Sequence, residues 1–406
     1  MTKGINVFSE IGNLKKVLLH RPGVELEALT PGTIDRLLFD DIPYLKIAQE
    51  EHDIFSKVLR ENGVEVVYYE ELLADVLKDE KLKEHFLNDF LSLSKINSKG
   101  LRKAITHYLY SLSEKEIVLK LISGIKRIDI KQEAPMSLMD LTDDVYPFVS
   151  DPMPNLYFTR DPGACIGNGI SINRMHTPAR KRESLLLKYI YLYNKDFALE
   201  GDRMWYDISD SFSIEGGDIL VLSKDIVCIG LSDRTTVSGA EHFAQNLLAK
   251  SDFKKILAFN IPKSRAFMHL DTVFTMVDYD KFTIHPEIEG PLEVYEMTLS
   301  DDGELKFNPL KEELSKLLAY ELKLPAVKLI RCGGDDLLAS QREQWNDGSN
   351  TLAIAPGKVI TYERNYVTNE LLAKNGLEVL TVPSAELSRG RGGPRCMSCP
   401  VYREDI

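Results

Sequence analysis

The distribution of proline and glycine is the feature of this sequence that most constrains its fold. None of the 18 prolines lies between Tyr44 and Ala134, and only three of the 25 glycines do. Because both residues are unfavourable inside helices, their scarcity predicts that this block is mostly helical. A Ser-x-x-Glu capping box at 113–116 marks one predicted helix start. Residues 63–69, rich in valine and tyrosine, are the exception and predict a strand.

Outside this block, short apolar runs are paired around tight turns. Four such pairs each predict a β-hairpin: residues 165–172, 219–229, 273–284 and 352–362. The turns recur about every 55 to 80 residues, with amphipathic segments such as 238–250 between most of them, as in repeated α/β modules. The sequence therefore predicts an α/β fold. A doubly wound sheet remains an alternative, although it needs parallel strands joined by helices rather than frequent hairpins.

Charge and composition narrow the class of protein. The formal net charge is −12, which argues against nucleic acid as the main partner, and 44% hydrophobic residues suit a globular core. No run approaches the roughly 18 apolar residues that span a bilayer, so no membrane partner is expected. Glu10 interrupts the region where a secretory signal would be apolar, and the five cysteines are an odd number. Both observations predict a cytoplasmic protein with reduced thiols.

The segment 389–400 carries two cysteines, Cys396 and Cys399, among glycines and arginines. A metal site would need a second Cys or His pair at useful spacing, and a thioredoxin-like redox pair should precede a helix. As a nucleophile loop, the segment places a thiol near Arg391 and Arg395, whose charges would favour the thiolate. A buried structural cysteine is the fourth reading.

Histidine and carboxylates supply further candidates. At strand period, His269 and Asp271 would share one face, either as an acid/base with its anchor or as an ordinary hydrogen bond. Asp161 follows an apolar run, and Glu215 and Asp218 flank a Gly-Gly pair; each could be an ordinary turn. A thiol, a histidine and several carboxylates together suit a flat cationic substrate such as a guanidinium, which carboxylates bind bidentately.

Seven short motifs follow one another along nearly the whole chain: residues 9–23, 37–41, 155–161, 215–218, 268–271, 342–350 and 396–403. Each is modest alone, but their joint order and spacing resemble those of the arginine deiminase family, which belongs to the guanidino-group-modifying superfamily. The resemblance implies a five-module ββαβ pseudo-symmetric propeller with a helical-bundle insertion. The first part of the propeller would be 1–70, the insertion 71–148, and the remainder 149–406.

The resemblance also implies a reaction, the hydrolysis of L-arginine to L-citrulline and ammonia without metal or organic cofactor. Cys396 would be the nucleophile that forms a covalent S-alkylthiouronium, and Cys399 would have no redox role. Asp161 and Asp271 would hold the guanidinium nitrogens. His269 would protonate the departing ammonia and then activate water, and Glu215 would hydrogen-bond to the substrate and the histidine.

The same resemblance assigns the residues that bind the rest of the substrate. Arg180, Arg234 and Arg391 would bind the α-carboxylate with Asn155 nearby, and Phe158 and Asp218 are also counted as substrate-binding residues. The glycine-rich loop 389–395 is expected to close over the bound substrate. The sequence leaves the oligomeric state open, with a homo-oligomer among the options.

Other functions remain open at this stage. Agmatine deiminase, dimethylarginase and amidinotransferase share the Cys-His-carboxylate plan, but the helical insertion and the arginines for an α-carboxylate favour free arginine. A non-catalytic arginine-binding protein would keep the carboxylates and have no need of the thiol.

Overall fold

The computed structural model describes residues 4–130, 146–197, 201–263, 267–289 and 292–406, which form a mixed α/β architecture. The strands are β1 (Leu14–Leu19), β2 (Glu65–Tyr68), β3 (Ile125–Lys126), β4 (Phe148–Ser150), β5 (Gly163–Ile166), β6 (Gly169–Ile172), β7 (Met204–Tyr206), β8 (Ile219–Val221), β9 (Ile226–Leu231), β10 (Lys255–Asn260), β11 (Phe274–Asp278), β12 (Lys281–Ile284), β13 (Glu293–Leu299), β14 (Leu305–Leu310), β15 (Lys328–Arg331), β16 (Leu352–Ala355), β17 (Lys358–Tyr362), β18 (Glu378–Val382) and β19 (Cys399–Arg403).

Helices lie between many of these strands along the chain. They are α1 (Leu45–Glu61), α2 (Tyr69–Val76), α3 (Glu80–Leu93), α4 (Lys99–Tyr110), α5 (Glu114–Ser123), α6 (Arg127–Ile130), α7 (Glu183–Tyr193), α8 (Val237–Lys250), α9 (Leu314–Glu321), α10 (Leu337–Trp345) and α11 (Tyr366–Lys374). Within the described part of the chain, no helix combines the length and the apolar character needed to cross a bilayer.

The proline-free block is helical as predicted, with α1 to α6 inside it and β2 at the predicted strand. The capping box at the start of α5 is confirmed, because the Ser113 N–H donates to Glu116 Oε2 at 2.8 Å. Apolar side chains of α2 to α5 are buried in one core together with those of β5 to β10. Part of the predicted insertion, residues 131–145, lies outside the described residues.

All four predicted hairpins are confirmed. The pairs β5/β6, β8/β9, β11/β12 and β16/β17 are antiparallel, and the second strand of each is joined in parallel to a later strand, β7, β10, β15 or β18. A helix lies in each of these connections, as a parallel pair requires a long crossover. In one sheet, the hairpin β13/β14 adds two further strands beside β10.

A fifth unit of the same kind joins the two ends of the described chain. Strand β19 pairs antiparallel with β1, and β1 runs parallel to β2 after helix α1. Leu18 lies opposite Cys399 in this pairing. The region around Cys396 is therefore anchored to the N-terminal strand, a contact between residues far apart in sequence.

Short 3-10 turns precede the first strand of several of these units. One turn lies ahead of β5, one ahead of β8 and one ahead of β11, and the predicted acidic residues and His269 lie in or beside them: Pro154–Tyr157, Gly216–Asp218 and Leu270–Thr272. The prediction of a strand through His269 and Asp271 is wrong. The chain makes a 3-10 turn there because the Thr272 and Val273 N–H groups donate back to the carbonyls of His269 and Leu270, and β11 begins only at Phe274.

Candidate active site

Cys396 lies in a site that is closed to bulk water. The residue is 3% exposed, and its Sγ lies 3.7 Å from Asp271 Oδ2. Its backbone N–H donates to Asn350 Oδ1 at 3.0 Å, and its carbonyl accepts from the Arg160 N–H at 3.1 Å. These two backbone contacts fix the position of the thiol independently of its own chemistry.

Asp271 has one oxygen paired and one free. Oδ2 accepts a hydrogen bond from Arg395 Nη1 at 2.7 Å, whereas Oδ1 is buried and has no hydrogen-bond partner among the described residues. Burial raises the pKa of this carboxyl, the charge of Asp161 raises it further, and Arg395 opposes both. Arg395 is shared with Glu10, which accepts from its Nε at 3.1 Å.

Asp161 repeats this arrangement. Its Oδ2 accepts from Arg180 Nη1 at 2.6 Å, and its Oδ1 is buried without a hydrogen-bond partner among the described residues. Arg180 is held in turn by Glu183, whose Oε2 accepts from Nε at 3.0 Å and from Nη2 at 2.9 Å. The guanidinium predicted to bind an α-carboxylate is thus used within the protein in this structure.

His269 lies between two carboxylates. Its Nε2 is 2.8 Å from Glu215 Oε2, and its Nδ1 is 3.8 Å from the free oxygen of Asp161. Burial lowers the pKa of His269, but the charge of Asp161 and the hydrogen bond to Glu215 outweigh it and raise the pKa to about 9. Burial raises the pKa of Glu215, and the hydrogen bond and charge of His269 bring it down to about 2. At neutral pH this pair is an imidazolium beside a carboxylate.

The predicted effect of flanking arginines, which is to favour the Cys396 thiolate, is outweighed in this structure. Burial raises the pKa of Cys396 well above its ordinary value, the charges of Asp271, Asp161 and Asp347 raise it further, and that of Arg395 opposes them. That guanidinium is already neutralised by Glu10 and Asp271. With its pKa raised in this way, the Cys396 sulfur is a thiol at neutral pH in this structure.

A cavity of about 480 Å³, called the mouth cavity below, is lined in part by Met268, the residue before His269. Both remaining predicted arginines line it. Arg234 donates from Nη1 to Thr177 Oγ1 at 2.6 Å. Arg391 has its Cζ 3.6 Å from the centre of the Trp345 ring and its Nη1 3.5 Å from Asp40 Oδ2. Asp35, Asp40 and Asp233 line the same cavity, so the two guanidinium groups stand among three carboxylates.

The other three predicted substrate-binding residues have contacts within the protein. Asn155 Nδ2 donates to the Leu37 carbonyl at 2.7 Å. Asp218 accepts from Ser232 Oγ at 2.7 Å and from the Leu270 N–H at 2.9 Å, so it holds the turn that carries His269 and Asp271. Phe158 is 3% exposed and packs against the glycine-rich loop.

The glycines of that loop are required by close packing. A Cβ on Gly392 would lie 2.3 Å from Phe158 Cε1, and one on Gly393 would lie 2.7 Å from the Asn350 carbonyl oxygen. The loop is therefore already buried against Phe158 in this structure. Its expected closure over a substrate stays a prediction.

Comparison with known proteins fits this geometry. The family model for arginine deiminase matches residues 35–403. This chain belongs to the arginine deiminase family. An arginine deiminase of Clostridium perfringens is 52% identical over 410 residues, covering 100% of this chain and 99% of the relative, and one of Bacillus cytotoxicus is 52% identical over 100% of both. A solved amidinotransferase of Microseira wollei from the saxitoxin biosynthetic pathway has a TM-score of 0.54 at 15% identity, covering 99% of this chain and 98% of that one, which shows likeness of fold.

Membership of the arginine deiminase family does not by itself decide whether the site could hold a metal. Ligand atoms of Asp161, Glu215 and His269 lie within 4.8 Å of one another, a spacing that a metal ion could use. The guanidinium of Arg180 is 2.6 Å from Asp161 and would repel a cation there. Cys399 is not part of this group; it is buried on β19, and its Sγ donates to the Gly163 carbonyl at 3.6 Å.

The sequence analysis did not identify several residues that hold the active site of this arginine deiminase family member together. Asn350 holds the backbones of both Cys396 and Asp271, the latter through Nδ2 at 3.1 Å from the carbonyl. Glu10 was seen only as a charge near the start of the chain. The motif 342–350 contains Asn350 and signalled its importance, but no local pattern indicated which residues it would contact.

Proposed function

We propose that this chain hydrolyses L-arginine to L-citrulline and ammonia, with Cys396 as the nucleophile. The observation that carries the proposal is a pair of buried oxygens, Asp161 Oδ1 and Asp271 Oδ1, that have no hydrogen-bond partner in the described part of the chain. Burying a carboxylate oxygen unpaired is costly, so the two oxygens indicate a ligand that supplies N–H donors. A guanidinium has such donors in a planar fork and carries the charge that both carboxylates need.

Binding of that cation would also activate the sulfur. Burial raises the pKa of the Cys396 thiol, and the charges of Asp271 and Asp161 raise it further. A guanidinium placed beside Asp271, whose Oδ2 is 3.7 Å from Sγ, would offset those charges and stabilise the thiolate. Ionisation would then accompany substrate binding, and the thiolate would attack the guanidinium carbon to give a tetrahedral adduct.

His269 would serve both halves of the reaction. As an imidazolium, it donates a proton to one nitrogen of the adduct, the C–N bond breaks and ammonia leaves, so that an S-alkylthiouronium remains on the cysteine. The neutral imidazole then takes one proton from water, which attacks the same carbon. The C–S bond breaks, the remaining O–H proton passes to sulfur and restores the Cys396 thiol, and citrulline is released. A positioned acid/base of this kind typically contributes roughly 10²–10⁴-fold. Glu215 keeps the ring oriented and charged through its 2.8 Å contact.

Arg234 and Arg391 are the proposed partners of the substrate α-carboxylate, because both line the mouth cavity. Asn155 and Phe158 would shape the wall beside it. For Arg180, α-carboxylate binding stays a prediction, and its contacts support a further role in which it orients the Asp161 side chain. Asp218 would act through the turn that it caps.

The proposed architecture is the five-module propeller with its helical insertion at 71–148, between catalytic parts at 1–70 and 149–406. Five sheets with the same order, an antiparallel pair followed by a parallel strand, support it. The helices α2 to α6 between β2 and β4 support the insertion. A cytoplasmic location is also proposed, supported by five cysteines that are all free thiols.

The test is to trap the covalent intermediate. Acid quench of the enzyme during turnover of L-arginine, followed by peptide mass spectrometry, should find the thiouronium on Cys396. Cys396→Ala should form no citrulline, whereas the matched control Cys399→Ala should retain turnover within a few-fold. An adduct on Cys399, or citrulline formation by Cys396→Ala, would refute the assignment.

A further inference from the structure

Asp271 is held by an arginine that is itself held by a second buried acid, Glu10. The Arg395 side chain is 1% exposed, and its Nη1 donates to Asp271 Oδ2 at 2.7 Å. On its other edge, Nε donates to Glu10 Oε2 at 3.1 Å and Nη2 donates to Glu10 Oε1 at 3.2 Å. The proposed reaction gives Glu10 no role, although only one side chain separates it from Asp271.

Backbone groups of strand β8 fix both members of this ion pair. The Val221 N–H donates to Glu10 Oε1 at 3.1 Å, and the Ile219 carbonyl accepts from Arg395 Nη2 at 2.7 Å. Among the described residues, four of the five N–H donors of Arg395 are thus engaged. The plane of the guanidinium is therefore fixed by β8 and Glu10 rather than by Asp271.

The fixed guanidinium decides which oxygen of Asp271 is left for a ligand. Nη1 donates to Oδ2, and Oδ1 is buried with no hydrogen-bond partner in the described part of the chain. An arginine that is free to turn would pair with both oxygens of a carboxylate, because the bidentate arrangement is the stronger one. Glu10 occupies Nε and Nη2 of Arg395 and so prevents that arrangement with Asp271.

Glu10 also carries its charge at every pH at which the reaction would be measured. Burial raises its pKa, but the charges of Arg395, Arg160 and Arg403 bring it down to about 2. This charge offsets part of that of Arg395, which otherwise lowers the pKa of Cys396. Replacing Glu10 by glutamine therefore removes a full negative charge at neutral pH.

We propose that Glu10 is a positioning residue for Asp271: through Arg395 it keeps Asp271 Oδ1 available to the substrate guanidinium. This inference rests on the proposed function and deepens it. A carboxylate that is already oriented binds a cation without a further ordering cost. Without the Glu10 carboxylate, Arg395 would turn onto both oxygens of Asp271, and Asp271 would lose its contact with the substrate.

The first measurement is binding without turnover, in the full chain with Cys396→Ala at neutral pH. Isothermal titration would give the Kd for L-arginine. Adding Glu10→Gln should weaken binding about 10-fold, because Asp271 no longer presents a free oxygen to the guanidinium. In an Asp271→Asn background, the same change should add less than about 2-fold, because its effect passes through Asp271.

The second measurement distinguishes positioning from a merely structural role. Alkylation of Cys396 by iodoacetamide without substrate, located by peptide mass spectrometry, would give a profile of rate against pH. Glu10→Gln should move the midpoint of this profile down by about one pH unit, because Arg395 then acts on the sulfur with less of its charge offset. The plateau rate at high pH should stay within about 2-fold, whereas damage to the fold would expose the sulfur and raise it.

Two further variants make the result specific. Glu10→Asp keeps the charge and shortens the side chain, so it should leave the alkylation midpoint in place and still weaken L-arginine binding. Glu25→Gln is the matched control, because Glu25 is also a buried acid paired with a cation, its Oε1 lying 3.1 Å from His20 Nε2. It should change neither the Kd for L-arginine nor the alkylation midpoint.

An unchanged Kd for L-arginine in Glu10→Gln would overturn the inference, as would an equal loss in Glu25→Gln or a full additive effect in the Asp271→Asn background. A higher alkylation plateau without a shifted midpoint would show a structural role and also overturn it. If Glu10→Gln does not fold, Glu10→Asp decides, and an unaltered Kd in that variant refutes the inference. The proposed function is judged separately by citrulline release from the unaltered enzyme. A chain whose variants bind arginine as expected and which releases no citrulline would refute the reaction and leave the positioning role standing.

Discussion

Two buried histidines of this protein each lie between carboxylates. The two clusters differ in whether their buried carboxylate oxygens have hydrogen-bond partners. The His269 cluster consists of His269, Glu215 and Asp161; the His20 cluster consists of His20, Glu25 and Glu70. In the His20 cluster both ring nitrogens are hydrogen-bonded to carboxylates, to Glu70 and to Glu25, each at 3.1 Å. Burial lowers the pKa of His20, but these hydrogen bonds raise it to about 10, just as that of His269 rises to about 9.

The difference lies in what is left unpaired. The His269 cluster has Asp161 Oδ1 without a hydrogen-bond partner among the described residues, and neighbouring Asp271 adds a second such oxygen. A raised histidine pKa therefore does not distinguish a structural ion cluster from a reactive one. Unsatisfied carboxylate oxygens beside a buried thiol do, because a cationic ligand with N–H donors would remove their desolvation cost.

The largest effect is expected from a substitution at Asp271, which should lower activity without lowering the stability of the fold. Asp271→Asn should lower kcat/KM for L-arginine by about 10³-fold, because a desolvated charged contact to the guanidinium is lost. Its free energy of unfolding should be unchanged or higher, since burial raises the pKa of Asp271 and its ionised form destabilises the fold at neutral pH. Citrulline assays and urea unfolding measure both quantities.

The matched change in the other cluster is Glu70→Gln. It should leave kcat/KM within a few-fold and lower the free energy of unfolding by on the order of 3 kcal/mol, because His20 loses one of its buried partners. If Glu70→Gln lowers activity as much as Asp271→Asn does, the distinction between the clusters is wrong.

A medium effect is expected in the pH dependence of stability. Because the pKa of His20 is raised to about 10 in the folded state, its contribution is fully present below the unfolded value of about 6.5 and is lost as pH rises to about 10. The unaltered protein should lose on the order of 3 kcal/mol more than His20→Asn between pH 6.5 and 10. Parallel curves of unfolding free energy against pH for the two proteins would contradict this assignment.

The smallest expected effect is on the high-pH side of the profile of kcat/KM against pH, which is called the alkaline limb. The value of kcat/KM should fall above about pH 9, where His269 loses the proton that it donates. Glu215→Gln removes the carboxylate at Nε2 and should move this limb down by about one pH unit, whereas Glu70→Gln should leave it in place. A limb that does not move in Glu215→Gln would mean that another group donates the proton.

Much of the architecture could be predicted because it depends on local interactions. The helical block, the capping box at Ser113, the strand at 65–68 and four hairpins are encoded by propensity and turn residues within a few positions of each other. The pairing of β1 with β19 had no such signal, since its partners are separated by nearly the whole chain.

The candidate site was predicted as a set of residues rather than as a network. Cys396, His269, Glu215, Asp161 and Asp271 were all identified, and the structure brings them together. Their partners were not: Arg180 on Asp161, Arg395 on Asp271 and Glu10, and Asn350 on the Cys396 backbone. A hydrogen bond between side chains from distant turns leaves no periodic pattern in sequence.

The sequence by itself determined which chemical groups are present and which local elements carry them, because helix, hairpin and turn preferences act over short range. The tertiary structure decided their charge states and which buried oxygens have no hydrogen-bond partner among the described residues. Burial changed the Cys396 sulfur from an expected thiolate to a thiol, and long-range pairing chose which carboxylate oxygens stay free. Both outcomes depend on desolvation and on the distances between charges, which exist only once the chain has folded.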